Sequence, residues 1–240
     1  MKIALEQFRR GLSFDFKLQK QPVAGLIVFV FLLYLISILT SDPDRPRTVF
    51  YFSEMGMFPL VIMLTLVMFQ RELGGGGMEM MATYPVSLRL VALRKWLFAI
   101  AYASLLNIGW MLVYLAKFGG IKTVMYPWSG GAGAKLSTGI PALMLQTFPA
   151  FLLLASLTLA GMVVFRKTYG GLVSGFSVWV LDTISGGGIL KGFTLYAEFL
   201  PVDGTFVANR LVLLAAAGGL LGFSLWLIGK RDRWILEEEE

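Results

Sequence analysis

The sequence predicts an all-α integral membrane protein that crosses the bilayer six times. Its mean hydropathy is +0.73, and only 15% of its residues are charged. Six apolar stretches approach the roughly 20 residues that a helix needs to cross about 30 Å of hydrocarbon. These stretches lack the alternation of polar and apolar residues that barrel strands show, so helices are the structure that satisfies their backbone groups in lipid.

The first element is an N-terminal segment, residues 1–22, predicted as an interfacial amphipathic helix. Leu5, Phe8, Leu12 and Phe16 recur at helical spacing among basic residues. Such a helix lies along the surface of a leaflet. The alternative is a mobile basic tail.

The six predicted spans form one transmembrane domain over residues 23–229. They cover residues 23–40, 49–69, 96–116, 140–165, 169–189 and 211–229. Only Arg166, Lys167 and Thr168 separate the fourth span from the fifth, which predicts a tight hairpin with two positive charges at its tip. Residues 70–95 connect the second and third spans, and residues 230–240 form a tail.

The distribution of Lys and Arg predicts the orientation of the spans. Fourteen of these residues fall on the side that holds both termini and residues 70–95, and seven fall on the other side. Because basic residues accumulate on the cytoplasmic side, both termini are predicted to be cytoplasmic. We expect a multi-pass protein of a cell membrane, with the bacterial plasma membrane as its location.

The composition also excludes several classes of function. The chain has no cysteine and no histidine, which removes disulfide scaffolds, thiolate nucleophiles, His-ligated metals and Ser-His-Asp triads. The sequence therefore predicts a non-catalytic chain without a metal site. Its net charge of +6 sits at the ends of apolar segments, where it faces lipid headgroups, so membrane lipid and not nucleic acid is the expected partner of these charges.

The connection between the second and third spans is the most informative segment. It begins with Arg71 and Glu72, continues with four glycines at 74–77, and predicts a short helix from Met78 to Tyr84. Pro85 interrupts this helix. A short helix held at the membrane surface suits docking to a partner. The candidate partner-binding residues are Arg71, Glu72, Met78, Glu79, Tyr84, Pro85, Ser87 and Arg89. The alternative is that the two acids only solvate a loop.

This segment resembles the connection between the second and third spans of type 2 ATP-binding-cassette (ABC) exporter permeases. That family has an acid, a glycine, a second acid and then a turn with proline and serine. The matching residues here are Glu72, Gly76, Glu79, Pro85 and Ser87. The six-span plan, the cytoplasmic termini and the overall length agree with the same family.

The resemblance implies that the chain is a permease half. Two such subunits, identical or related, would sit on two nucleotide-binding subunits, and residues 70–95 would be the coupling segment that inserts into a groove of the partner. ATP and Mg²⁺ would be bound by that partner, since this chain has no G-x-x-x-x-G-K-[ST] motif.

Two acidic residues lie inside predicted spans. Asp182 falls in the outer half of the fifth span, and its cost in lipid predicts that it faces the bundle interior or water. It either lines a translocation path, with Ser174 and Ser177 on the same span, or is hydrated at the outer mouth. Glu54 is a further path candidate, although its position near a span end also allows it to reach water.

The segment before the sixth span is apolar but too short to cross the bilayer. The sequence predicts that residues 195–200 lie at the outer surface with Glu198 facing water.

Two other functions compete with the permease. A membrane anchor or assembly factor would use the same connecting segment to hold a different cytoplasmic partner. A proton-coupled secondary carrier would be built around Asp182, but one central carboxylate and no visible repeat are little support for it.

Overall fold

A computed structural model of the chain describes residues 22–42, 48–74, 76–123, 136–200 and 205–235. The predicted N-terminal interfacial helix lies outside these residues except for Pro22, which begins the first helix. The last five residues of the predicted tail also lie outside them.

The described residues form a helical bundle with one small hairpin. The helices are α1 (Pro22–Thr40), α2 (Met57–Phe69), α3 (Gly77–Thr83), α4 (Leu88–Phe118), α5 (Ile140–Phe165), α6 (Thr168–Ser185) and α7 (Thr205–Ile228). The strands are β1 (Ile121–Thr123) and β2 (Leu136–Thr138), which pair antiparallel. The predicted all-α class therefore needs a small correction, because this hairpin joins α4 to α5.

π-helical turns extend α2 at both ends. Tyr51–Met55 precede it and Gln70–Gly74 follow it, so that the helical run covers Tyr51–Gly74. This run is the most deeply buried of the long apolar helices. In its 18-residue apolar stretch 83% of the residues are buried in the bundle, compared with 11% in the corresponding stretch of α1. The helix α2 thus belongs to the core, and α1 is a peripheral helix.

The centre of the bundle is α5, which packs against α7, α6, α2 and α4. Its approach to α6 is close because glycines lie on both sides: a Cβ atom added to Gly170 would lie 2.6 Å from the carbonyl oxygen of Gly161. At the periphery of the bundle, Lys117 attaches α1 to α4. Its Nζ donates to the carbonyl oxygens of Ile38, Leu39 and Ser41 at the end of α1.

Five of the helical runs in the described part of the chain are long and apolar enough to cross a membrane: Val23–Thr40, Tyr51–Gly74, Leu88–Phe118, Ile140–Phe165 and Thr205–Ile228. The fifth predicted span corresponds to α6. This helix has 18 residues, and its glycines, hydroxyl residues and Asp182 lower its mean hydropathy. It ends at Ser185 instead of the predicted Ile189, because Gly186 adopts a left-handed conformation with φ 55°.

The bundle has two ends, which hold different structures. The "α3 end" holds α3, the α5–α6 connection and a 3₁₀ turn at Arg231–Arg233 that follows α7. The "hairpin end" holds β1, β2 and residues 191–200, which connect α6 towards α7. Both ends carry buried charges, and they contain the candidate functional residues.

Candidate functional site

The α3 segment, defined as residues 70–95, reverses the chain between α2 and α4. Gly76 has a φ of 73°, a conformation that favours glycine, and α3 begins at the next residue. A Cβ atom on Gly77 would lie 2.9 Å from the carbonyl oxygen of Arg71. The glycine run therefore lets α3 fold back tightly against the end of α2. The helix α3 lies one residue from its predicted position at each end.

A buried ion pair fixes the two ends of this segment to each other. Glu72 Oε1 lies 2.7 Å from Lys95 Nζ, and the two side chains are 10% and 4% exposed. Lys95 also donates to the carbonyl oxygen of Met68 at 2.9 Å. Because removing one partner of a buried pair leaves an uncompensated charge, this contact holds α2 and α4 in register. Lys95 is not among the predicted partner-binding residues.

The eight predicted partner-binding residues divide into two groups. Glu72 and Met78 are buried, so they anchor the segment. The six exposed residues are Arg71, Glu79, Tyr84, Pro85, Ser87 and Arg89. Ser87 also caps α4 by accepting a hydrogen bond from the Leu90 backbone N–H at 3.4 Å.

The exposed face of α3 combines charge with large apolar side chains. Met80 is 68% exposed, Tyr84 59% and Val86 42%, and Glu79 is exposed beside them. Clustered exposed apolar residues among polar ones are typical of an interaction surface. We call Glu79, Met80, Thr83, Tyr84 and Val86 the "α3 face".

Arg231 binds the backbone of the α3 face. Its Nη1 donates to the carbonyl oxygens of Ala82 at 3.0 Å and Tyr84 at 2.8 Å, and its Nη2 donates to that of Val86 at 2.7 Å. These carbonyls belong to the last turn of α3 and to the residues just after it, where carbonyl groups have no partner within a helix. The turn after α7 thereby attaches α7 to the α3 face.

Arg233 connects the same turn to α5. Its Nη2 donates to the carbonyl oxygens of Val163 at 3.0 Å and Val164 at 2.8 Å, in the last turn of α5. Burial, together with the nearby positive charge of Arg166, lowers the pKa of Arg233 from its usual value. Trp234 is buried and donates to the carbonyl oxygen of Ile228 at 3.2 Å. Sequence reasoning did not identify either arginine, since basic residues after an apolar helix are common orientation signals.

At the hairpin end, Glu54 is buried and hydrogen-bonded. It is 1% exposed, and its carboxylate accepts from Gln146 Nε2 at 3.0 Å and from the backbone N–H of Ala197 at 3.1 Å. The interpretation that Glu54 reaches water at a span end is therefore wrong. The π-helical turn at Tyr51–Met55 directs this side chain into the bundle, which the sequence did not reveal.

Asp182 is also fully buried. Its Oδ2 accepts from Thr194 Oγ1 at 3.0 Å and from the backbone N–H of Leu195 at 2.7 Å. Of its two predicted roles, hydration at an outer mouth is thus contradicted. Asp182 instead binds the segment that follows its own helix.

Residues 194–200 fold into the bundle, contrary to the prediction that residues 195–200 lie at the surface, whereas residues 191–193 are exposed. Leu195, Tyr196 and Ala197 are 0% exposed. Such a segment is tolerated inside the bundle only if its backbone groups are bound. Arg210 Nη1 donates to the carbonyl oxygen of Leu195 at 3.0 Å, and Asn209 Nδ2 donates to that of Thr194 at 3.1 Å.

We call Glu54, Gln146, Asp182, Asn209 and Arg210 the "polar cluster". Its carboxylates come from α6 and the turn preceding α2, and its amides and guanidinium from α5 and α7. Polar residues such as Gln146 and Asn209 within apolar helices are a signal that could have predicted this cluster from the sequence.

The two serines proposed with Asp182 do not join this cluster. Ser174 packs at the α5–α6 contact, where its hydroxyl donates to the carbonyl oxygens of Leu157 at 3.3 Å and Gly171 at 3.2 Å. Ser177 is exposed on α6. The geometry thus places the four candidate path residues in three different environments.

Comparison of the chain with protein-family models, with curated proteins and with solved structures finds no match. The function is therefore argued from the residues and their geometry.

Proposed function

We propose that the chain is the transmembrane permease subunit of an ABC exporter. In this proposal α6 crosses the membrane in addition to the five long apolar helical runs, which makes six spans. Both termini and the α3 end are cytoplasmic. The excess of Lys and Arg on that side supports this orientation. A separate nucleotide-binding subunit binds ATP and Mg²⁺ and supplies the energy for export.

The observation that carries the proposal is the attachment of the α3 face. The side chains of the α3 face are exposed, while its backbone is bonded to the turn after α7. The two ends of the α3 segment are joined by the Glu72–Lys95 pair. A force applied to this face would be transmitted to α2 and α4 through Glu72 and Lys95, and to α7 through Arg231. Arg233 extends the connection to α5. A rigid lever of this kind suits coupling to a motor protein.

The chemistry of the α3 face indicates what the partner offers. Met80 and Tyr84 require an apolar groove, and Glu79 requires a cation at its rim. A nucleotide-binding subunit with such a groove would bury the face on docking.

A second permease subunit, identical or related, would complete the transport path. Small residues on α7 support such pairing, since Ala215, Gly218 and Gly222 are exposed and a Cβ on either glycine would meet nothing within 4 Å. Small exposed residues let two helices approach closely in lipid.

The absence of native cysteine makes the proposal directly testable. Thr83→Cys places one thiol on the α3 face, and Ser137→Cys places a matched exposed thiol at the hairpin end. In intact cells a membrane-impermeant maleimide should label only the Ser137→Cys variant, and in permeabilised cells it should label both. The reverse pattern would put the α3 face outside and overturn the proposal.

The same thiols identify the partner. A bifunctional crosslinker in native membranes should join Thr83→Cys, but not Ser137→Cys, to a protein with a P-loop ATPase motif. Glu79→Arg combined with Tyr84→Ala should then abolish ATP-dependent export in vesicles. A crosslinked partner without a nucleotide-binding motif would favour the membrane anchor. Transport that needs the proton gradient and not ATP would favour the secondary carrier.

A further inference from the structure

The polar cluster holds two acids and one base inside the bundle. Glu54 is 1% exposed, Asp182 0% and Arg210 5%. With all three groups ionised, the cluster would carry one net negative charge. Such a charge inside a bundle is costly, and a buried carboxylate removes the cost by binding a proton. One of the two carboxyl groups is therefore expected to be protonated.

The other titratable side chains around the cluster do not balance this charge. In the segment that follows α6, Tyr196 is neutral at neutral pH, Glu198 is half-buried and adds a negative charge, and Lys191 is exposed. The helix α5 has no charged residue, and α7 has Arg210 alone. Within the described part of the chain, Arg210 is thus the one buried cation at the hairpin end.

The carboxylate of Glu54 has donors at both oxygens. Its Oε1 accepts from Gln146 Nε2 at 3.0 Å, and its Oε2 accepts from the backbone N–H of Ala197 at 3.1 Å. An ionised carboxylate is purely an acceptor, so these contacts suit the charged form. Glu54 is therefore the acid whose charge the nearby Arg210 balances.

Asp182 is bound differently, since only one of its oxygens has donors. Its Oδ2 accepts from Thr194 Oγ1 at 3.0 Å and from the backbone N–H of Leu195 at 2.7 Å. Its Oδ1 is buried and has no hydrogen-bond partner among the described residues. Arg210 donates through Nη1 to the carbonyl oxygen of Leu195 and leaves this oxygen unbound. A carboxyl oxygen that accepts nothing is where the group can carry its own hydrogen.

The same part of the cluster contains an acceptor for that hydrogen. Asn209 Oδ1 is buried and receives no hydrogen bond from the described residues. Asn209 and Asp182 bind one residue, since Asn209 Nδ2 donates to the carbonyl oxygen of Thr194 and Asp182 Oδ2 accepts from its hydroxyl. Because unpaired buried polar atoms are costly, a proton on Asp182 Oδ1 would supply the donor that both oxygens lack.

We propose that Asp182 holds a proton on Oδ1 at neutral pH, and that this proton keeps residues 194–197 inside the bundle. Raising the pH moves the proton from Asp182 to water. The new carboxylate then adds its charge to those of Glu54 and Glu198, with Arg210 as the nearby cation, and the segment is released. The proton is part of the closed structure and is not carried across the membrane, unlike that of a secondary carrier.

Infrared spectroscopy of the purified chain in lipid, with isotopically labelled aspartate carboxyl groups, detects this proton directly. We expect a carbonyl stretch of a protonated carboxyl that shifts with the label and disappears as the pH is raised. Asp182→Asn should remove the band. Asp232→Asn is the matched control and should keep it, because Asp232 is exposed at the α3 end. Glu54→Gln should make the band disappear at lower pH, since Arg210 is then free to balance Asp182.

Proton linkage gives a second readout. If Asp182 is protonated in the folded chain and ionised in the unfolded chain, the folded chain binds one proton more at any pH above the ordinary titration range of an aspartate. As the pH rises, the unfolding equilibrium constant should then increase by up to about ten-fold per pH unit more than in Asp182→Asn, until the folded chain itself loses the proton. Asp182→Asn should fold, because its amide also offers a donor beside an acceptor.

A labelled spectrum without a protonated aspartate at neutral pH would overturn the proposal, and so would an equal pH dependence of unfolding in the wild type and in Asp182→Asn. An unchanged band in Glu54→Gln at every pH would show that the two acids do not share one counter-charge, which contradicts it as well. Neither measurement needs a partner ATPase or a transported substrate, so their outcome is independent of the exporter.

Discussion

Both ends of the bundle use charged side chains to bind irregular backbone, but they leave different surfaces. At the α3 end, arginines bind backbone carbonyls and one acid pairs with one lysine, while the side chains of the α3 face remain exposed. At the hairpin end, two carboxylates and one guanidinium bind residues 194–197, whose side chains are almost all buried.

This difference distinguishes an end whose side chains close the bundle from an end whose side chains remain exposed. Both ends satisfy backbone groups that lipid would leave unpaired. At the hairpin end the buried polar side chains bind the backbone of residues at the same end, so this end of the bundle is closed. The α3 end fixes the backbone of the α3 face and leaves its side chains exposed, and in the proposed function these side chains dock the partner.

The largest expected effect is at the hairpin end. Arg210→Met leaves Glu54 and Asp182 buried without their nearby cation, and the free energy of unfolding should fall by about 3–5 kcal/mol. Denaturation in mixed micelles, followed by tryptophan fluorescence, measures this loss. Lys191→Met is the control, because Lys191 is an exposed cation at the same end. Equal stability of the two variants would mean that the polar cluster does not hold residues 194–197.

A smaller effect is expected for the single pair at the α3 end. Lys95→Met leaves one buried carboxylate, on Glu72, and should cost about 3 kcal/mol of unfolding free energy. Adding Glu72→Gln removes that charge and should restore part of the loss. The coupling free energy from this double-mutant cycle checks the contact. If the two losses simply add, the ion pair is not what joins α2 to α4.

The smallest effect on stability should come from Arg231→Met. This side chain is exposed, so water replaces it at the carbonyls of Ala82, Tyr84 and Val86, and the loss should be about 1 kcal/mol. Hydrogen exchange of the amides in residues 77–86 should nevertheless accelerate, while the exchange of residues 195–197 stays unchanged. Asp232→Asn serves as the control within the same turn. Unaltered exchange in residues 77–86 would show that the turn after α7 does not fix the α3 face.

Much of the fold was predictable because helix formation in apolar stretches depends on local sequence. The predicted short helix in the α3 segment and the starts of α5 and α6 agree with the structure within about one residue. The end of α6 was predicted four residues too late, since the prediction followed hydropathy past Gly186. The burial of residues 195–200 was missed for a different reason. An apolar segment that is too short to span the membrane has the same sequence pattern whether it lies on the surface of a bundle or inside it.

Hydropathy and residue counts alone predict a bundle of apolar helices without cysteine or histidine, because they need no knowledge of which residues are neighbours in space. Which charges are buried, and which groups they bind, follows from the packing of the helices. Glu54 meets the backbone of Ala197 across 143 residues of chain, and Arg231 meets Ala82 across 149. Contacts at such separations depend on how the helices pack, and no local pattern in the sequence specifies them.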